Sequence, residues 1–316
     1  MTEIFHDQMS PSEFLLGWLT NDYLNSFPKE KADFENYYSG YMHGAFLRHT
    51  QNAYNHNLKS LISIVKNYSP KPLRILEIGC GCGTESLFLS LLGCDVVAVE
   101  LMEKHFNVAE ARKKVIEDKL GKPINIKFNN LSILDFNVID NFDLIWMEQA
   151  FHHLEPRDSI VKKISSFLKP DGYLVISESN AYNPISQIAL MRERFRTHKN
   201  PFKTIIEHYD EDGTKHLWGH ERILRASKLA GLFAKEGIVK KEIDYFKILP
   251  NRAGLTLKRG DSKPFSDNNF TLWLDNFLHN KIPLLFKRFL TFSYNYVGIK
   301  TSNDPDYVNN NEKDRD

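Results

Sequence analysis

The fold turns on Glu77-Ile78-Gly79-Cys80-Gly81-Cys82-Gly83. The run Leu73–Ile78 before it is short and apolar and reads as a buried strand. The stretch Thr84–Leu92 after it has helical apolar spacing and is closed by Gly93. A glycine-rich turn between a strand and a helix marks the place where an open α/β sheet binds ligands, because residues without a Cβ let the backbone turn sharply and approach a ligand closely. The spacing is not that of the dinucleotide fingerprint G-x-G-x-x-G, which would need glycine where Thr84 stands. No G-K-[ST] phosphate loop is present either. The pattern is E-x-G-x-G-x-G.

Downstream of this turn, short apolar runs alternate with amphipathic ones. Strands are expected at Asp95–Val99, Ile124–Phe128, Phe142–Met147 and Tyr173–Ser177, with helices at Glu103–Leu120 and Arg157–Leu168 between them. This alternation predicts a parallel sheet covered by helices on both faces. After Glu178 it is interrupted. Residues 180–218 read as an insertion, a helical stretch followed by the loop Asp210-Glu211-Asp212-Gly213. A helix over about 219–236, a sixth strand at Ile238–Phe246, an amphipathic helical segment over about 270–290 with Pro283 as a boundary, and a last strand at Ser293–Lys300 complete the pattern. The division expected is an N-terminal helical extension over 1–70, a main domain over 71–300 and a disordered tail over 301–316 rich in Asn and Asp. Tyr37–Gly44 is too aromatic and too glycine-punctuated to read as plain helix.

The motifs in this order resemble a class I S-adenosylmethionine-dependent methyltransferase. Besides the glycine turn, Glu100 ends the second strand, Asn129-Asn130-Leu131-Ser132 follows the third, Phe142-Asp143-Leu144-Ile145 matches the fourth, and Leu168-Lys169-Pro170-Asp171-Gly172-Tyr173-Leu174-Val175-Ile176 resembles the family's L-K-P-G-G-x-L-V-I run. The resemblance is close over about 73–178 and rests on element order alone over 219–300. It implies a Rossmann-like seven-stranded sheet whose last strand enters antiparallel beside the fifth. It implies S-adenosyl-L-methionine as cofactor, with Glu77, Gly79, Cys80, Gly81 and Gly83 around its amino-acid and ribose portion. Glu100, followed by Leu101, would accept the ribose hydroxyls. Asn130, Leu131 and Ser132 would face the adenine, with Asn130 where the family usually has Asp, and Glu148 and Gln149 would face the methionine end.

The segment Trp146-Met147-Glu148-Gln149-Ala150-Phe151-His152-His153-Leu154 carries the acceptor chemistry. It lacks the [DN]-P-P-[YF] signature of methyltransferases acting on amide or exocyclic nitrogens. Its ending is common in small-molecule methyltransferases, and Met147-Glu148 with His152 partly resembles the M-E-V-x-E-H stretch of quinol O-methyltransferases, with Phe151 in place of the second acid. An oxygen acceptor needs a general base, and His152, His153 or Glu148 is the candidate. Packing or capping of the next helix is the alternative role for the histidines. Tyr38, Tyr41, His43 and Arg48 form a candidate lid, the aromatic faces covering a sulfonium and Arg48 pairing with the methionine carboxylate. Tyr41, His43, Arg192, Arg196 and Trp218 are candidate acceptor contacts, the arginines suiting an anionic group.

Composition narrows the alternatives. Of the 316 residues, 41 are Lys or Arg and 40 are Asp or Glu, a net charge of +1. That balance argues against general nucleic-acid binding, although the basic run near Arg192 keeps an RNA-directed methyltransferase or adaptor as a second reading. A catalytically silent cofactor-binding subunit is the third, opposed by Glu77, the glycines and Glu100. Three cysteines exclude a disulfide framework, and Cys80, Cys82 and Cys94 read as small filler. His208, Asp210, Asp212, His216 and His220 lie close in sequence, but Gly219 is expected to start a helix between the last two histidines, so no metal is expected. No run approaches the roughly 20 apolar residues of a membrane span. The opening Met1-Thr2-Glu3-Ile4-Phe5-His6-Asp7 has no signal-peptide pattern, which points to the cytoplasm. The apolar segment around Phe277, Leu284, Leu285, Phe286 and Phe289 reads as a core helix, with contact to a lipid-like acceptor as the alternative.

Overall fold

The computed structural model describes residues 9–42, 48–68, 72–139, 141–197, 202, 204–209, 213, 215–219, 222–248 and 269–301. Four helices come first: α1 (Pro11–Thr20), α2 (Pro28–Met42), α3 (Arg48–Asn57) and α4 (Lys59–Asn67). There follow β1 (Arg74–Ile78), α5 (Thr84–Leu91), β2 (Asp95–Glu100), α6 (Glu103–Leu120), β3 (Ile126–Asn130), β4 (Phe142–Glu148), a single turn of tight helix at Phe151–His153, α7 (Arg157–Phe167) and β5 (Leu168–Ser179). The remaining elements are α8 (Pro184–Thr197), β6 (Ile205–Tyr209), β7 (Lys215–Gly219), α9 (Ala226–Ala234), β8 (Ile238–Phe246), α10 (Asn269–Lys281), α11 (Leu284–Leu290) and β9 (Ser293–Lys300).

The main sheet has seven strands in the order β3-β2-β1-β4-β5-β9-β8. The β3-to-β5 block is parallel, and β9 runs antiparallel between β5 and β8. This is the seven-stranded Rossmann-like arrangement expected, with Ser293–Lys300 as the inserted antiparallel strand. The strand order reverses between β1 and β4, so the crevice at their carboxyl ends is where a ligand sits in such a sheet. One apolar layer packs Trp18, Phe34, Phe88 and Val108 on one face; the other packs Phe151, Ile160, Leu229 and Phe233. These strands are buried on both sides, which is why β1 and β4 read as continuous apolar runs rather than alternating ones.

Four segments differ from the sequence expectation. Helix α2 runs on through Tyr37-Tyr38-Ser39-Gly40 to Met42, because tertiary packing of Phe34 and Tyr38 overrides the poor local propensity. The insertion ends in the antiparallel hairpin β6–β7, Ile205 pairing with Gly219 and Tyr209 with Lys215. Gly219 closes β7 instead of opening a helix. A Cβ there would lie 2.5 Å from the His152 carbonyl oxygen, so the hairpin reaches the sheet only because this residue is glycine. The segment around Pro283 splits into α10 and α11 and is not core: Leu284 is 66% exposed, Phe286 57%, and α11 has no buried residue. Residues 302–316, expected to form the disordered tail, lie outside the described residues. Among those described, no helix is long and apolar enough to cross a membrane.

Candidate active site

The glycine turn is shaped by conformations that only glycine adopts cheaply. Gly79, Gly81 and Gly83 have φ of +74°, +52° and +73°. Packed neighbours also close Gly79 and Gly83 to a side chain, and at Gly81 the tip of Tyr37 stands in the way. A Cβ on Gly79 would lie 2.7 Å from Cβ of Ala150, one on Gly81 2.4 Å from the Tyr37 hydroxyl oxygen, and one on Gly83 2.9 Å from Ala109 and Phe128. Gly83 thus lets α5 pack on its neighbours, whereas Gly79 and Gly81 face a cavity of about 640 Å³. That volume lies within the range of small-ligand sites.

Behind the turn, Glu77 is buried and accepts from the Ser86 hydroxyl. Burial, reinforced by the Glu85 charge, pushes its carboxyl well above the ordinary range. It braces the turn and does not line the cavity. Cys80 and Cys82 are buried, and burial raises both thiols, Cys82 to about 12, so they are inert filler. Arg112 is fully buried beneath the turn. It donates to the Cys82 carbonyl and to Thr84 Oγ1, both at 2.7 Å, and stands over the rings of Trp18 and Phe34.

Glu100 rims the cavity. Its two carboxylate oxygens accept the backbone N–H groups of Gly81 and Met102, each at 2.8 Å. Burial raises its pKa while those N–H groups pull it down. Leu101 and Met102 form an apolar shelf on one side, and Leu131, Ser132 and Asp135 line the other. Asn130 does not face the cavity, because its amide donates to the carbonyls of Glu100 and Leu101 at 2.9 and 3.0 Å and so ties β3 to β2. Asp135, five residues past the end of β3 and outside the motif, supplies the acid on that side.

At the other end, α2 and α3 close over the turn. Tyr37 sets its hydroxyl against Gly81 and its ring against His105, centroids 4.7 Å apart. Tyr38 is buried and hydrogen-bonds Thr84 Oγ1 at 2.6 Å. Tyr54 donates to Glu85. Glu148 accepts from the Asn57 amide, whose oxygen accepts from Ser177, and burial together with Glu85 pushes the Glu148 carboxyl well above its ordinary range. Gln149 follows at a φ of +47°. Tyr37, Tyr54, Glu85 and Asp135 are cavity residues that the motif reading passed over. The aromatic run at Tyr37-Tyr38 was visible, but the helical register that aims Tyr37 at Gly81 was not.

The two histidines separate. His152 is 4% exposed and its Nδ1 lies 2.8 Å from Glu178 at the end of β5, so it anchors the chain to the sheet and does not reach the cavity. His153 lines the cavity, and its Nδ1 lies 2.8 Å from the Gly219 carbonyl oxygen. A carbonyl only accepts, so Nδ1 carries the proton and Nε2 of the neutral ring is the basic nitrogen. Trp218 stacks on His153 with centroids 4.5 Å apart and an interplanar angle of 27°. Trp218 and Leu217 from the hairpin, with Pro156 and Ile160 from the sheet side, enclose this end. Arg48 is exposed and lines neither this cavity nor the smaller one behind Glu148, and Arg192 lines neither. His43 and the side chains of Tyr41 and Arg196 lie outside what is described. No group of three or more metal-ligating side chains occurs among the described residues.

The residues fit S-adenosylmethionine on the geometry alone. Two side-chain-free positions allow close approach, a carboxylate with spare lone pairs sits one strand away, and an apolar shelf faced by Leu131, Ser132 and Asp135 accepts a flat base with polar edges. A family model described as a methyltransferase domain matches residues 46–237. The chain belongs to that family. It is similar to the ubiquinone biosynthesis O-methyltransferase of Pelagibacter ubique, 26% identical over 202 residues that cover 60% of this chain and 75% of that protein. It is also similar to the mitochondrial ubiquinone biosynthesis O-methyltransferase of Bos taurus, 26% identical over 125 residues, where the match covers 38% of this chain and only 34% of the bovine protein. Among solved structures, the magnesium protoporphyrin IX methyltransferase of Synechocystis PCC 6803, crystallised with S-adenosylhomocysteine, superposes with a TM-score of 0.51 at 12% identity, covering 90% of this chain and 99% of that one. That likeness is one of fold.

Proposed function

We propose that the protein moves the methyl group of S-adenosylmethionine to an oxygen of a small-molecule acceptor, with His153 as the general base. The observation that carries this reading is the fixed His153 tautomer in the wall of the cavity that also contains the glycine turn and Glu100. When bound, S-adenosylmethionine supplies a methyl group already activated by the sulfonium. The chain's own residues then have three tasks. Gly79, Gly81 and Glu100 hold and orient, Tyr37 and Trp218 exclude water, and His153 Nε2 takes the hydroxyl proton as the acceptor oxygen attacks in line. The Gly219 carbonyl steadies the imidazolium that results. The relatives named for O-methylation support oxygen over nitrogen. The exposed apolar face of α10 and α11, with α10 packed against α3, supports an acceptor with a lipid-like part.

The test is calorimetry with S-adenosylhomocysteine followed by transfer of labelled methyl to phenols, catechols and amines. The reading expects micromolar-range binding and oxygen-methylated product, with His153→Ala slowing turnover and sparing cofactor affinity. Wild-type protein that ignores the cofactor, product methylated only at nitrogen, or an unimpaired His153→Ala enzyme would overturn it.

A further inference from the structure

A second cavity of about 180 Å³ lies on the far side of Glu148 and Gln149. It is bounded by Thr50, Asn57, Glu148, Gln149, Ser179 and Lys247. Tyr54, Glu148 and Gln149 form the wall it shares with the main cavity. Its volume is below that of a whole-ligand site and suits a single head group.

The polar groups in this space are unevenly satisfied. Ser179 donates to Gln149 at 2.7 Å, and Asn57 joins Glu148 to Ser177. Thr50 is 5% exposed, and its hydroxyl has no hydrogen-bond partner among the described residues. Lys247 brings an ammonium, which only donates, into the same space. Burial lowers its pKa and the Glu148 charge opposes that shift. The backbone is strained at this place: Gln149 at φ +47° and Lys247 at φ +62° are two of the three non-glycine residues with positive φ among those described. Such conformations persist where surrounding structure holds them. A buried hydroxyl and a lysine left to donate ask for a group rich in acceptor oxygens.

We propose that this cavity seats an anionic group of the acceptor, a carboxylate or a phosphate, held by Lys247 and Thr50. This rests on the methyl-transfer reading above and assigns the substrate class of that site. Anion recognition therefore falls to the end of β8, not to the arginine run of α8. The cofactor's own carboxylate is the competing occupant, because the cavity shares Tyr54, Glu148 and Gln149 with the main one, and the affinity of the variants for S-adenosylhomocysteine separates the two.

Benzoate, phenyl phosphate and neutral benzamide, titrated by calorimetry into protein loaded with S-adenosylhomocysteine, test the assignment. At least one of the anions should bind ten times or more tightly than benzamide. Lys247→Met should cost that preference tenfold or more, Lys247→Arg should keep most of it, and Thr50→Val should weaken it severalfold. Affinity for S-adenosylhomocysteine should stay within twofold in all three variants. Lys247→Met keeps the unbranched stem without the ammonium and leaves the backbone demand at this position unchanged, and a thermal melt verifies its fold. Equal binding of benzamide and the anions, anion binding untouched in Lys247→Met, or a tenfold loss of S-adenosylhomocysteine affinity in that variant would each overturn the proposal. Failure of the wild type to bind S-adenosylhomocysteine would instead sink the methyl-transfer reading, and the same titrations on unloaded protein would still decide the anion site.

Discussion

The cofactor cradle and the acceptor wall are built on different length scales. In the cradle, Ser86 braces Glu77 from nine residues away and Gly81 donates to Glu100 from 19. In the acceptor wall, His153 is oriented by Gly219 66 residues on, Asn57 meets Glu148 across 91 residues, and Ser177 reaches Asn57 across 120. The cradle is one strand–turn–helix unit and its partner strand. The wall is a meeting of the N-terminal helices, the ends of β4 and β5, a hairpin and the end of β8. A local unit keeps a fixed residue spacing, whereas a wall assembled from distant segments fixes only positions in space.

The sharpest way to break this contrast is to fill the cradle. Gly81→Val should abolish measurable binding of S-adenosylhomocysteine by calorimetry, because its Cβ would overlap the Tyr37 hydroxyl in a left-handed backbone. Retained affinity would mean that α2 does not seal the turn. The wall responds differently. His153→Ala should lower kcat by about 10²–10⁴-fold while cofactor affinity stays within twofold, the loss expected of a general base. His152→Ala should appear chiefly as lost stability, since it removes the imidazole from buried Glu178 and leaves that carboxylate only the backbone N–H of residue 152 there.

Next in size is the support beneath the cradle. Arg112→Ala removes a buried cation, two hydrogen bonds and two aromatic contacts. It should cost about 3–5 kcal/mol in denaturant unfolding. A loss under 1 kcal/mol would show that the turn stands without it.

The smallest effect concerns His105. Burial, aided by Lys104, lowers its pKa to about 4, with Asp33 opposing. Tyr37 packs on it, and Glu100 lies 4.0 Å from its Nδ1. The folded state therefore resists protonating a group that the unfolded chain protonates near 6.5. Its contribution to stability is complete above about pH 6.5 and is lost as pH falls toward 4. His105→Asn should accordingly show a shallower decline in unfolding free energy over that window than the wild type, and an equal slope would refute the assignment.

The strand–turn–helix reading of Leu73–Leu92 agrees with β1 and α5 because those elements are neighbours in the chain, whereas the ligand roles of the turn, of Glu100 and of Asn130 were implied by the family resemblance. The same reading placed Asn130 at the adenine, where the structure gives its amide to two main-chain carbonyls and brings Asp135 to the cavity. It offered Arg48 and Arg192 as ligand contacts, and neither lines the main cavity or the smaller one beside Glu148. It could not separate His152 from His153, which differ by one residue and by which side of a tight turn they occupy. Lys247 carried no signal, since a lysine after a strand is ordinary until the fold sets it in one small cavity with Glu148.

The sequence by itself determined the alternation of strands and helices from β1 to β5 and the place of the glycine turn, because apolar periodicity and glycine conformation are local properties; the antiparallel entry of Ser293–Lys300 beside β5 was implied by the family resemblance and is fixed by the sheet as a whole. Only the tertiary structure decided which histidine faces the cavity, that Tyr37 covers Gly81, and that Thr50 and Lys247 share one small space. Those juxtapositions depend on how distant helices and strands pack across the sheet, and packing is settled by the volume and shape of the whole core, which no local spacing encodes.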